Sequence, residues 1–381
     1  MTIIICNVII NIDNDGRNNL MNNHYPASQK SVRNGRIELM RFVFAVIVAC
    51  YHLGCSLKLP EEIFTHGYLA VEFFFLVSGY LFAKSLSGCS KDNKNEIIRK
   101  SLSFMGKKYT GFMFEYVVVI VMTIIAWVPY FKLSAGELAV KIINAIPTFL
   151  LIQMFGFKTA DWFVPVWYVS AMLIVMFILT PVMLKSAKKY SLLIAPPLSM
   201  LLLGLVFTKC GCFNGSGEWA DGLISYNLLR AFAEISLGCT MFYIVQSGKF
   251  NKLNEHLRGA AGLILFIPPV FYMLGDFDEN MEPTMIVILF AATALCFSCK
   301  SAPALINNRF VYFLGKLSLP IFLCHSIARF YSLYFKTALG YYQLLAVFMI
   351  ITLVLSSVCF ILGGTLKKAA AYFLGKHKKS A

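Results

Sequence analysis

Apolar runs of roughly 16–25 residues, each long enough to cross the hydrocarbon core of a bilayer, recur along almost the whole chain. They lie near 39–57, 68–87, 111–130, 164–184, 191–208, 223–246, 260–275, 284–299, 311–334 and 341–363. The expected fold is all-α, a polytopic transmembrane helical bundle of about ten spans with the lipid bilayer as its solvent. Composition agrees. Charged residues make up 14% of the chain and hydrophobic residues 58%, against about 25% charged in a soluble domain. Mean hydropathy is +0.70. A net charge of +15 in a soluble protein would point to nucleic acid. Here the basic residues sit in short loops and at the C-terminus, as membrane orientation requires, so no nucleic-acid partner is expected.

The loop charges set the orientation. Lys91, Lys94, Arg99, Lys100, Lys107 and Lys108 follow the second run, and Lys185, Lys188 and Lys189 the fourth. Lys249, Lys252 and Arg258 follow the sixth, Lys300 and Arg309 the eighth, and Lys367, Lys368, Lys376, Lys378 and Lys379 the last. Acidic or neutral loops alternate with them, such as Pro60–Glu62 and the stretch DFDENMEP at 276–283. Both termini are therefore expected in the cytoplasm. Residues 1–35 begin with a short apolar run and turn Asn-rich, with no cleavage site, which reads as a mobile cytoplasmic tail; Met21 is an alternative start. Residues 36–365 form the membrane domain and 366–381 a basic tail. Residues 142–157 are apolar but short and contain Pro147, and read as an outer half-helix or re-entrant piece. No repeat and no appended soluble catalytic domain is visible.

The eleven cysteines form no disulfide framework, and Cys296 and Cys299 have no second ligand pair nearby, so no metal is expected. The chemistry lies in ionisable residues at membrane depth, which are functional candidates by default. The first run contains RIELMRFVFAVIVACYH and the second GYLAVEFFFLVSGYLF. Arg41 and His52 are eleven positions apart, so they share a helix face within roughly 20°, separated by about 16 Å. Glu72 opens the second run at matching depth. A carboxylate beside an imidazole fixes its tautomer and stabilises its protonated form, so a catalytic His52–Glu72 pair is expected. The competing readings are a buried His52 satisfied by a carbonyl, and an Arg41 that snorkels to the inner surface.

Arg36 belongs at the inner surface, and with Lys100, Lys107 and Lys108 it would make a basic patch for a phosphorylated ligand or for anionic lipid. Arg230 and Glu234, four apart, read as a pair. His325 and Arg329 have the same spacing on the ninth run and face the bundle interior. Glu115 lies near the inner end of the third. Ser78-Gly79 permits close helix packing; Ser78 lacks a nucleophile elbow around it. Trp167 and Tyr168 fall where an aromatic belt is the plain reading. Asn214-Gly-Ser216 matches a glycosylation tripeptide of the kind that occurs by chance.

These residues resemble the acyltransferase-3 family of bacterial integral membrane acyltransferases, similar to polysaccharide and lipopolysaccharide O-acetylases. The family pattern is Arg or Lys, ten residues, His, then a Gly-Val-Asp/Glu-x-Phe-Phe-x-x-Ser-Gly block; Arg41, His52, Gly67, Glu72, Phe74, Phe75, Ser78 and Gly79 satisfy it. WYVSAMLIVMFILTP at 167–181 resembles the family's Trp-x-x-Ser helix, and LGKLSLPIFLCHSI at 314–327 its late helix ending in His. Three positions depart. Lys107 and Lys108 precede TGF where the family has Arg-x-x-Arg, Ala171 and Met172 stand where an acid often follows, and Phe322 is commonly Tyr.

The resemblance implies an enzyme with no bound cofactor. It implies an acyl-CoA donor, acetyl-CoA as the expected one, and a hydroxyl on a surface glycan or its lipid-linked precursor as acceptor, in a bacterial inner membrane. His52 and Glu72 would be catalytic. Arg41, Arg36, Lys107 and Lys108 would hold the donor, and Ser78, Trp167, His325 and Arg230 would support. The alternative from another class is a glycan or lipid transporter or flippase, for which the Pro196-Pro197 and Pro268-Pro269 pairs would be helix breaks.

Overall fold

A computed structural model describes residues 33–57, 63–89, 93–156, 166–214, 219–220, 224–300 and 302–377. Residues 1–32 of the expected tail, the stretch Pro60–Glu62, Lys91, Ser216 and the basic residues from Lys378 lie outside the described residues. Helix α1 (Gly35–Leu57) opens where the Asn34 side chain accepts from the Arg36 N–H at 3.1 Å. A 3₁₀ turn at Gly67–Leu69 leads into α2 (Ala70–Leu86). Asn93 caps α3 (Lys94–Tyr130) by accepting from the Asn95 N–H. The chain continues through α4 (Ala135–Asn144), α5 (Ile146–Phe149), α6 (Trp167–Lys189) and α7 (Ala195–Cys210). A two-residue antiparallel pair, Trp219–Ala220 with Ile224–Ser225, precedes α8 (Tyr226–Gln246). Then come α9 (Glu255–Ile264), α10 (Ile267–Leu274), α11 (Glu282–Phe297), α12 (Arg309–Leu333) and α13 (Tyr341–His377).

Among the described residues, nine helical stretches are long and apolar enough to cross a bilayer. One of them, Trp167–Cys210, has 44 residues. That is about 66 Å of helix, twice the ~30 Å of a hydrocarbon core. It is broken at Ser186, whose φ of −151° and ψ of 45° leave the helical region. A π-turn at Tyr190–Ile194 follows. Beyond the break, Ser199 donates to the Ala233 carbonyl at 2.7 Å and Thr240 to the Ser191 carbonyl at 2.7 Å, so α7 runs antiparallel to α8. The fold is thus a polytopic helical bundle in which α6 and α7 make separate passes.

Of the stretch 142–157, the described residues 142–156 do not make a span. They fall into the ends of α4 and α5 and a 3₁₀ turn at Gln153–Phe155. Tyr116 of α3 donates to the Thr148 carbonyl at 2.6 Å, and Ser170 of α6 accepts from the Met154 N–H at 3.3 Å. A ten-residue helix such as α4 reaches only about 15 Å. It opens with a reciprocal Ser134–Glu137 capping box. Both proline pairs occupy first turns, of α7 and α10, where a missing N–H costs no intrahelical bond.

Two ends of the bundle can be told apart. The Tyr312 hydroxyl, near the start of α12, donates to the Arg33 carbonyl at 3.0 Å, so α1 and α12 start together. Tyr341, at the start of α13, donates to the Ile63 carbonyl at 3.2 Å, so α13 begins at the other end and returns. The first end carries the lysine-rich loops and the second the Asp276–Glu279 turn; they are called the basic and acidic ends below.

Four helices hold the interior: α1 packs along α12, and α2 along α8. The second contact depends on two glycines. A Cβ at Gly79 would meet the Ile235 carbonyl, and one at Gly238 the Leu76 carbonyl. Backbone cannot yield as a side-chain tip can, and overpacking of this kind costs about 1–3 kcal/mol. Gly79→Ala should therefore lower the unfolding midpoint in detergent, while alanine at Gly111, which meets nothing within 4 Å, should leave it in place.

Candidate active site

His52 lies one turn before the end of α1, half-buried. Its ring stacks on His325 of α12, with centroids 5.0 Å apart and planes 17° from parallel. His325 is 1% exposed, and its Nδ1 has no hydrogen-bond partner. Phe322, one turn earlier on α12, touches His325 at 6.0 Å and the Tyr168 ring at 5.4 Å. The Tyr168 hydroxyl shares a 3.2 Å hydrogen bond with Ser78 of α2. Helices α1, α2, α6 and α12 thus bring His52, Ser78, Tyr168, Phe322 and His325 into one interior cluster. Trp167 opens α6 beside it, with its ring against Phe75 and Tyr168. Sequence reading placed Tyr168 in a boundary belt; it belongs to this cluster instead, because α6 packs against α2.

Glu72 is not the partner of His52, which corrects the expected dyad. The carboxylate is 0% exposed and forms an ion pair with Arg230 of α8. Arg230 Nε also lies 3.8 Å from Glu234, the expected pair one turn on. Its Nη1 donates to the Phe213 carbonyl at 2.6 Å and its Nη2 to the Tyr68 carbonyl at 3.1 Å. The physical reason is valence and charge. A guanidinium carries a full charge and five donors, and a buried carboxylate is stabilised more by it than by an imidazole.

A second set of buried groups extends this cluster toward the acidic end. Tyr68 donates to Glu282, His66 Nδ1 lies 3.0 Å from the Tyr68 hydroxyl, and Glu282 accepts from the Phe213 N–H at 2.6 Å. Glu282 was expected in a solvated acidic loop and is instead 0% exposed. Sequence reading missed it, His66 and Tyr68. The available signal was Glu282 at the first turn of an apolar run, where a helix N-terminus favours a carboxylate.

The basic residues divide. Arg41 is partly exposed, 3.4 Å from Glu38, and close enough to Lys108 of α3 for their charges to interact. Lys107, on the same turn of α3, is exposed. Arg36 does not join them, against expectation. It is 2% exposed and its guanidinium packs on Gly259 of α9. Five positions on a helix turn the side chain by about 140°, so Arg36 and Arg41 face different neighbours. The Asn214 side chain, the first residue of the glycosylation tripeptide, donates to the Tyr51 hydroxyl at 2.8 Å and ties the 211–214 turn to α1.

The arrangement has the parts that transfer to a hydroxyl needs. An imidazole held in the interior, with no carboxylate partner among the described residues, can take and return a proton. About 16 Å toward the basic end on the same helix lies Arg41, with Lys108 of α3 beside it. A family model described as an acyltransferase domain, the acyltransferase-3 model, matches residues 34–364. No curated protein and no solved structure matches the chain.

Proposed function

The chain belongs to the acyltransferase-3 family and is a multi-pass membrane acyltransferase, and from that premise we propose that it moves an acetyl group from cytoplasmic acetyl-CoA to a hydroxyl of a cell-surface glycan or its lipid-linked precursor, in a bacterial inner membrane. The observation that carries the reading is the pairing of two sites on α1. His52 stacks on His325 inside the bundle, and Arg41 lies beside Lys108 toward the basic end. If the basic end is cytoplasmic, as its lysines require, Arg41 and Lys108 meet the phosphates of the donor there. The extended pantetheine arm then carries the thioester the remaining distance toward His52.

In the proposed step the acceptor hydroxyl gives its proton to His52 as its oxygen attacks the thioester carbonyl. The C–O bond forms, the tetrahedral intermediate collapses, and the C–S bond breaks. The leaving thiolate recovers the proton from His52. Ser78 and the Tyr168 hydroxyl, in the same cluster, are the proposed donors to the developing oxyanion. Glu72 acts by holding Arg230 and the α2–α8 contact in place.

Incubating purified protein with labelled acetyl-CoA and its envelope glycans tests the reading. Label should enter glycan as alkali-labile ester, and Arg41→Ala should raise the apparent KM for acetyl-CoA with the acceptor KM unchanged. Loss of one charge-assisted phosphate contact, about 1.5–3 kcal/mol, predicts a rise of roughly 10–150-fold. Arg36→Ala should leave the donor KM where it is. No ester with any glycan fraction, or a larger effect at Arg36 than at Arg41, would remove the proposal.

A further inference from the structure

Arg329 is a half-buried cation that no carboxylate of the described chain answers. Arg33 and Arg41 pair with Glu38, and Arg230 with Glu72 and Glu234. Arg329 forms no such pair among the described residues, and its buried Nε has no hydrogen-bond partner. Its guanidinium carbon lies 5.3 Å from the centroid of the neighbouring Phe330 ring. That ring belongs to an aromatic wall at the acidic end. Phe330 contacts Trp127 at 4.8 Å and Tyr130 at 5.6 Å, and Tyr130 contacts Tyr334 at 5.2 Å.

Position narrows the partner. Arg329 follows His325 by one turn of α12, on the side away from the basic end. Its charge acts on His52, on His325 and on Cys55. A charge in an apolar bundle without a counter-charge is costly to keep. It is stabilised when an anion completes it, and apolar rings around it strengthen that attraction by lowering the local dielectric. Among the described residues no carboxylate supplies that anion. The phosphates of the donor, in the proposed mode, stop at Arg41 and Lys108, about 16 Å along α1 from His52 on the side away from Arg329. The anion therefore arrives from the acidic end, on the molecule whose hydroxyl reaches His52.

We propose that Arg329 and the Phe330 aromatic wall form the acceptor subsite, and that the acceptor is an anionic glycan presenting a carboxylate or phosphate to Arg329. The identification of the occupant as acceptor rests on the acyl-transfer reading; the anion site itself does not. Ring faces suit the C–H face of a sugar, and a planar guanidinium suits the two oxygens of a carboxylate or phosphate. Neutral glycans would lack the group that offsets the Arg329 charge.

Cys55 is an exposed native thiol within the field of Arg329, so it reports on this site without any acyl transfer. The protein is placed in nanodiscs of phosphatidylcholine and labelled with an anionic or a cationic methanethiosulfonate, and modification of Cys55 is followed by peptide mass spectrometry. The anionic reagent should be favoured, and Arg329→Gln should lower that preference about tenfold while Arg329→Lys keeps it. Tri-galacturonate should slow Cys55 labelling where maltotriose does not, and only with Arg329 present. Equal rates for the two reagents, or equal protection by the two sugars, would overturn the proposal. So would loss of the tri-galacturonate effect in phosphatidylglycerol discs, which would assign Arg329 to a lipid headgroup. Anion protection in a protein that esterifies no glycan would instead sink the acyl-transfer reading and leave the anion site standing.

Discussion

Replacing His52 with alanine should lower acyl transfer by about 10²–10⁴-fold, the range a positioned general base contributes. The protein should still reach the membrane and unfold at nearly the wild-type temperature. The side chain is half-buried near the end of α1, and its ring meets the rings of His325 and Tyr51, so its removal opens space without stranding a charge. The loss should fall on turnover, with the KM for acetyl-CoA unchanged, because the donor's phosphates lie at Arg41 in the proposed mode. Added imidazole should restore part of the rate if the missing group is a base. His325→Ala should also slow turnover, by a smaller factor, because it removes the surface on which the His52 ring is stacked. The measurement is ester formation per mole of folded protein across the three proteins. A His52→Ala protein with wild-type turnover would end the assignment.

How much of this was legible beforehand differs between helices and pairings. The spans were legible because apolar length and basic loops are local properties of sequence. The break at Ser186 falls between two expected runs, and residues 142–156 stay short of a span, as Pro147 and a short apolar run lead one to expect. Arg41 and His52 on one face followed from helical periodicity alone. What could not be read was the neighbour each interior group meets. Glu72 and His52 were matched by depth, but depth leaves open which helix stands beside α2. The Gly79–Gly238 contact brings α8 there, and with it Arg230. His325 reaches His52 for the same kind of reason, since α12 packs along α1 although more than 250 residues separate their starts. Arg36 was misplaced because a basic residue near a span end resembles a surface group until α9 is seen to cover it.

The largest effect on stability is expected at Arg230. Arg230→Met removes the cation that pairs with Glu72 and Glu234, both 0% exposed, which would then face each other. It also strips donors from the Phe213 and Tyr68 carbonyls. Breaking a buried pair by deleting one partner costs about 3–5 kcal/mol, a large share of the stability of most proteins. The variant should be poorly recovered from membranes, with a strongly lowered unfolding midpoint. The same principle predicts a rescue. Glu72→Gln and Glu234→Gln combined with Arg230→Met remove the stranded charges, and a set of neutral groups of similar volume should regain much of the lost stability. The rescued protein also separates the two roles open to Glu72. If Glu72 holds Arg230 and the α2–α8 contact, Glu72→Gln and His52→Ala act on different quantities, one on the folded fraction and one on turnover, and their losses multiply. If Glu72 instead served His52 in the chemistry, the two would behave as one unit, and the double variant would be little worse than His52→Ala alone. Turnover per folded molecule decides between them, and the ion pair with Arg230 predicts the first result.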